Sequence, residues 1–276
     1  MGARRLALGG AVAAGVTAAA RVAFDRRPPG GEARWTRVNH RGEPISLLEG
    51  PAVAAGLAAG ALVAGRGRGR IAGVTAAVGA GAFGLVDDLA EDTSTRTKGL
   101  RGHLGALAQG RLTTGGLKVL GIGATSIVAA AAGTRKTGSA AQWCGDVVVN
   151  GALIAGAANL ANLLDLRPGR ALKAASALAV VPVGGPLAAA GTGAVLGAGA
   201  AAWPGDLGER DMLGDSGANA LGALVGARLA LGLPRPLRLA ALAGVVGLNL
   251  ASERVSFSAV IAQTPWLKAV DDLGRR

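Results

Sequence analysis

The chain has 276 residues, 50% of them hydrophobic, and 29 Lys and Arg against 17 Asp and Glu give a net charge of +12. A mean hydropathy of +0.41, carried by long uncharged stretches, excludes an ordinary soluble domain, which has fewer apolar runs of bilayer length. A single cysteine, Cys144, excludes a disulfide framework and a cysteine-based zinc site, and a small buried residue is expected there.

The first apolar run, 6–24, follows Arg4 and Arg5. That pattern also fits a secretory signal peptide, but the further hydrophobic segments favour an uncleaved first helix. A basic stretch over 25–50 leads to runs at 51–65 and 71–86, and the second of these ends on Asp87 and Asp88. The charged stretch 87–115 contains Lys98 and His103, the latter read as a solvated loop histidine. Runs at 116–133 and 145–164 follow. The second carries Asn159 and Asn162, then Asp165, at three-residue steps that place all three on one helical face.

Runs at 171–183 and 185–203 meet at Pro182, Gly184, Gly185 and Pro186, a turn signal that separates two short helices. Another run, 213–233, opens with Leu213-Gly214-Asp215-Ser216-Gly217, and the last covers 237–252. A span needs about 20 residues, with about 17 as the lower limit, so 51–65 and 171–183 are marginal. The expectation is an all-α fold: one integral membrane domain over 1–276, a polytopic bundle of about nine transmembrane helices within a range of about seven to ten. With 3 Phe, 4 Trp and no Tyr, these helices must pack through Gly and Ala.

Nine spans with the N-terminus outside put 18 Lys and Arg in the inner connections against 9 in the outer ones, as the positive-inside bias requires. The basic excess then reflects topology and anionic membrane lipid, and no nucleic-acid partner is expected. The cytoplasmic loops fall at about 25–50, 87–115, 163–171 and 204–214. An even number of crossings separates Asp88, Asp165 and Asp215, so these carboxylates and Asp87 share the inner face. A carboxylate at a membrane edge is costly to desolvate and persists where it meets water, a cation or a partner. Taken singly, Asp87 and Asp88 could cap a helix end, Asp215 could be an N-cap, and the asparagines could bond between helices. Their coincidence on one side points instead to a site that handles metal and phosphate.

Gly84-Leu85-Val86-Asp87-Asp88, followed by Thr97-Lys98-Gly99-Leu100, resembles the first signature of the polyprenyl-phosphate N-acetylhexosamine-1-phosphate transferases. That superfamily includes phospho-N-acetylmuramoyl-pentapeptide transferase and the UDP-N-acetylglucosamine–undecaprenyl-phosphate transferases. Asn159-x-x-Asn162-x-x-Asp165 resembles its Asn-x-x-Asn-x-x-Asp stretch, and Leu213-Gly214-Asp215-Ser216-Gly217 its Gly-Asp-Ser-Gly helix start. Arg41-Gly42-Glu43-Pro44 through Glu49-Gly50 is similar to a diverged N-terminal loop of the family. The resemblance implies a plasma-membrane enzyme with a cytoplasmic active site and Mg²⁺. Its reaction would move a phospho-sugar from a UDP-sugar donor to a polyprenyl phosphate acceptor, releasing UMP, in cell-envelope glycan or peptidoglycan precursor synthesis. On that resemblance Asp215, with Asp88, is the expected metal ligand. Asp87 is the expected base, or alternatively a covalent nucleophile. Lys98 would contact the diphosphate, and Asn159, Asn162 and Asp165 would orient the uridine or phosphates.

The chain also departs from the family. Pro168 stands where the pattern Asp-Gly-x-Asp-Gly has its second aspartate, and His40 and His103 are the only histidines, so the family's histidine-rich loop has no counterpart. Those losses motivate a second reading, a catalytically silent relative that binds lipid phosphate or scaffolds envelope assembly. A transporter is a third reading, against which stands the lack of internal repeats. Donor identity, polyprenyl length and homodimer formation are left open.

Overall fold

The computed structural model describes residues 2–90 and 113–276; Lys98 and His103 lie outside the described residues. The chain folds as helices α1 (Gly2–Arg26), α2 (Glu49–Ala64), α3 (Gly67–Ala90), α4 (Thr114–Gly133), α5 (Ala140–Leu164), α6 (Arg170–Ala179), α7 (Ala188–Asp206), α8 (Gly214–Gly232), α9 (Arg235–Ser252), α10 (Phe257–Gln263) and α11 (Pro265–Asp272). Between α1 and α2 sits a small antiparallel hairpin of β1 (Thr36–Val38) and β2 (Pro44–Ser46), in register Thr36 to Ser46 and Val38 to Pro44. The fold is all-α apart from this hairpin.

Helices α1, α3, α4 and α5 are long and apolar enough to cross a membrane, and α9 with α10, bent by 97°, makes a fifth if the pair is one broken span. By this measure the expected count of about nine is not reached. Helix α8 shows why hydropathy falls short. Sixteen of its 19 residues are buried, against α3 and α5 on two sides and α2 on another, so protein solvates it and polar residues such as Asn219 and Arg228 are tolerated. Helix α6 has only 10 residues, ending at Ala179 where the run 171–183 was expected to continue. The chain from Val180 to Leu187 is irregular, as the Pro182–Pro186 turn signal implied.

Ending a helix inside a bundle strands carbonyls that no water reaches. Arg228 on α8 resolves this. Its guanidinium donates to Leu178 O (3.2 Å), to Val181 O, to Ala188 O (3.3 Å) and to Thr192 Oγ1 (2.8 Å), joining the end of α6 to the start of α7. The close packing uses small residues, as the lack of aromatics required. A Cβ on Gly197 of α7 would fall on Gly10 O of α1, and one on Gly222 of α8 would fall on Ala157 O of α5.

Contacts sort the connections into two ends. One end gathers Gly9 beside Ala64, Gly69 beside Pro186, and Gly184 N bonded to Gly232 O at 3.1 Å. The other gathers the hairpin, the C-terminus of α3, the N-termini of α4 and α8, and α10 and α11. Cys144, expected to be buried, is exposed near the start of α5.

The C-terminal helices are fastened to α6. Arg170 donates to Asp271 from Nε (2.8 Å) and Nη2 (2.9 Å) and to Ser258 Oγ (3.0 Å), while Lys173 Nζ reaches Asp271 O (2.6 Å). Burial would raise the Asp271 carboxyl, but the Arg170 fork outweighs it and holds the group below its ordinary value. A depressed carboxylate contributes stability that is present above its ordinary pKa and lost as pH falls through the depressed value. Limited proteolysis in detergent should therefore leave residues 253–276 attached at neutral pH and release them in strong acid. Asp271→Asn should release them at neutral pH, and equal protection of both proteins would remove this role.

Candidate functional site

The sequence brings α3 and α8 together at their ends. A Cβ on Gly84 would fall on the Asp215 carbonyl, so glycine lets the two backbones touch one turn before Asp87 and Asp88. Gly214 has φ 57°, a left-handed conformation that turns the chain into α8 without steric cost. The N-cap position of α8 is Leu213, which offers no side-chain acceptor. Asp88 supplies it from α3: Oδ1 accepts from Asp215 N at 3.0 Å and Oδ2 from Ser216 N at 2.9 Å. A carboxylate at a helix N-terminus also meets the positive end of the helix dipole. Arg37 on β1 donates to the Asp88 carbonyl at 2.5 Å, which brings the hairpin to the same point.

Asp87 and Asp215 are thereby aimed at one group. Lys118, near the start of α4, has Nζ 2.5 Å from Asp87 Oδ2 and also contacts Asp215 Oδ2. The Lys118, Asp87 and Asp215 side chains are 15%, 14% and 23% exposed, so the cluster is sheltered but open on one side. Two carboxylates and one ammonium leave an excess negative charge when all are ionised. Lys118 carries the only charge in the run 116–133, at its end nearest the aspartates. That isolation was the signal, which the loop-charge count treated as a topological lysine.

Two cavities lie at this end of the bundle, and Lys118 lines the first of them. On one side a groove of about 300 Å³ runs between α4, α5 and α9, walled by Val119, Ile122, Val246 and Leu250, with Lys118 at its polar end. Asn159 lines this groove and donates to Asn249 Oδ1 on α9 at 2.5 Å. On the other side a pocket of about 200 Å³ lies under the hairpin, lined by Asp165, Asp206, Asp211, His40, Arg167 and Met212. Asn159, Asn162 and Asp165 lie at the end of α5, with Asp165 as its C-cap residue, and Asn159 and Asp165 line different cavities. Asn162 remains within α5, between them in sequence.

The hairpin-side pocket is acidic in a way the sequence reading did not anticipate. Asp206 Oδ1 accepts from Gly169 N at 2.8 Å, and Arg21 of α1 pairs with Asp211. Asp165 Oδ2 and Asp206 Oδ2 have no hydrogen-bond partner among the described residues, and both side chains are more than nine-tenths buried. Burial, with the charges of Asp206 and Asp215 nearby, holds the Asp165 carboxyl well above its ordinary value. Burial and the Arg167 guanidinium push His40 down. The acids sit in the connection 204–214 and at the C-cap of α5, where no periodic pattern marks them.

Among the described residues no three His, Cys, Asp or Glu side chains converge as a ready-made metal cage. Mg²⁺ does not require one, since it is commonly held by one or two carboxylates with substrate phosphates and water. Asp87 and Asp215, converging with excess negative charge, fit that donor set, whereas both oxygens of Asp88 are occupied by amides. No family model matches the chain, and no characterised protein matches it.

Asp88→Ala removes an anionic acceptor from two amides, each bond to a charged group contributing about 1.5–3 kcal/mol. It should lower the thermal unfolding midpoint in detergent clearly, with Asp88→Asn, which keeps one acceptor oxygen, falling between. Unchanged midpoints for both variants would show that Asp88 does not hold α8.

Proposed function

We propose that the chain is a membrane phosphoglycosyl transferase that moves a phospho-N-acetylhexosamine from a UDP-sugar to a polyprenyl phosphate and releases UMP. The observation that carries this reading is the Asp87–Lys118–Asp215 cluster, whose lysine also lines an apolar groove. The motif order along the sequence supports it. A polyprenyl tail suits the groove walled by Val119, Ile122, Val246 and Leu250, which ends at the Lys118 ammonium where the lipid phosphate would lie. The donor's nucleoside end suits the hairpin-side pocket, where the open acceptor Asp165 Oδ2 can receive a hydrogen bond from a uracil N–H or ribose hydroxyl.

In this reaction an oxygen of the acceptor phosphate attacks the sugar-bearing phosphorus of the donor. The phosphoanhydride bond to UMP breaks, and UMP leaves with the bonding pair. Lys118 draws the acceptor phosphate to the cluster and offsets charge on the reacting phosphates. Asp87 keeps the acceptor deprotonated, and Asp88 acts as a positioning residue that fixes the start of α8. Mg²⁺, held by Asp215 with Asp87, would neutralise the diphosphate and the departing UMP. Lys98 is assigned to the donor diphosphate on resemblance alone. Asn159 belongs with the lipid groove in this account, since it bonds to Asn249.

The proposed setting is a plasma membrane crossed nine times, with α6 and its irregular extension as one crossing and the carboxylate end cytoplasmic. The silent-relative reading also draws on an observation: Asp88 is consumed in capping, and Lys118 already neutralises part of the remaining charge. Both readings place lipid phosphate at Lys118.

Purified protein with polyprenyl phosphate, Mg²⁺ and a panel of UDP-sugars should release UMP. Asp215→Asn should abolish release while the protein stays folded. Asp87→Asn should lower kcat with a modest change in donor KM. Absence of turnover with every donor, combined with retained polyprenyl-phosphate binding, would select the silent reading. Wild-type turnover by both variants would remove the assigned site.

The orientation has its own check. A cysteine placed at position 210 in a Cys144→Ser background should resist labelling by an impermeant thiol reagent outside intact cells. Strong labelling would reverse the assignment of faces.

A further inference from the structure

A large cavity lies at the opposite end of the bundle from the carboxylates. It is a cleft of about 1100 Å³ where the starts of α3, α5 and α9 meet the ends of α4 and α8. Five arginines line it: Arg66, Arg68, Arg135, Arg235 and Arg238. Asp146 is its only carboxylate, and it is taken by Arg238 at 2.8 Å. The cleft thus carries an excess of four positive charges. The Arg68 side chain reaches only a backbone oxygen, Thr134 O, at 3.5 Å, and the side chains of Arg66, Arg135 and Arg235 make no ion pair or hydrogen bond among the described residues. Like charges gathered without counter-charge repel one another, and topology does not call for them, since the sequence reading places this end outside.

The cleft also has a built polar wall. Asn150, 1% exposed, donates from Nδ2 to Thr134 Oγ1 at 2.8 Å, and its Oδ1 has no partner among the described residues. The amide can exchange its two ends, with the Thr134 hydroxyl donating to Oδ1, and Nδ2–H groups then become the unpartnered atoms in the wall. At the start of α9 Pro236 has no N–H and Arg238 N is bonded to Pro234 O, so the uncapped amides there are those of Arg235 and Leu237. Guanidinium forks, an amide and free helix amides are the donor set that recognises phosphate oxygens. A cleft of this volume is large enough for more than a single phosphate group.

We propose that this cleft is a binding site for a phosphate-bearing anion, separate from the carboxylate cluster and at the opposite end of the bundle. The phosphate can come from a soluble ligand or from an anionic lipid headgroup at the membrane rim. The site does not depend on the transferase reading, since none of its residues takes part in that chemistry.

The test uses the full chain, with pyrophosphate as the soluble probe and nanodiscs of phosphatidylcholine with or without phosphatidylglycerol as the lipid probe. Calorimetric titration measures the first, and native mass spectrometry counts retained phosphatidylglycerol for the second. The variant is Arg135→Gln/Arg235→Gln, both exposed and therefore tolerant of change, with Arg27→Gln/Arg254→Gln at the other end as the charge-matched control. A loss of at least tenfold in pyrophosphate affinity in the double variant, absent in the control, supports a soluble phosphate ligand. Loss of retained phosphatidylglycerol with no pyrophosphate binding by the wild type supports the lipid source. The proposal is overturned if the double variant matches the control in both measurements.

Discussion

Everything at the carboxylate end depends on how the first turn of α8 is held. A helix that begins against packed neighbours presents backbone amides that need acceptors, and each left unpaired costs free energy comparable to a lost hydrogen bond. The residue at the N-cap position, Leu213, cannot help, and Asp88 from α3 accepts from two of the amides. That contact fixes the angle of α8, seats Gly84 against Asp215, and leaves the Asp215 side chain free to face Lys118. The hairpin joins the same point through Arg37, so three segments distant in sequence share one anchor.

The same helix is held at its other half by an inverse device. Arg228 offers donors where the broken passage from α6 to α7 leaves carbonyls, while Asp88 offers acceptors where α8 leaves amides. Because α8 is enclosed by protein, both charged side chains reach their partners without facing lipid. Small residues make the enclosure possible, since bulkier ones at Gly197 or Gly222 would push neighbouring backbones apart. Scarcity of aromatics, the cores of α7 and α8, and the precise seating of two charges are therefore one constraint seen at three levels.

Much of this was legible in the sequence, and the failures have physical causes. The helical class followed from run length and hydropathy, and the turn at Pro182–Pro186 from residues that cannot continue a helix. Asp87, Asp88 and Asp215 were expected on one face and do meet. The span count was less legible: four helices, or five with the bent pair, are long and apolar enough to cross, and α8, with sixteen of its 19 residues buried, is not among them. Asn159 and Asp165 were assigned a common face from their three-residue step, and spacing alone does not show that each lines a separate cavity. Lys118 was visible as a lone charge in an apolar run, yet its partners lie on helices whose docking no local pattern encodes. Cys144 was misjudged because burial follows position in the bundle, and it lies exposed near the start of α5.

The way Asp88 is used bears on whether the cluster serves chemistry or only architecture. Capping alone has a simpler solution, a Ser, Thr, Asp or Asn at position 213 in place of Leu213, which would satisfy the first amides locally. The fold instead reaches 127 residues along the chain for the acceptor. A local cap would hold the helix but would not tie α3 to it. The long-range cap does both, and it sets Asp87, the next residue on α3, opposite Asp215, the second residue of α8. Lys118 then bridges two carboxylates whose separation is governed by a single anchor. On the proposed transferase reading, the fold fixes that separation and leaves the cluster partly open beside an apolar groove. A phosphoryl-transfer site needs both, because its catalysis rests on positioning and charge with little covalent chemistry from the protein.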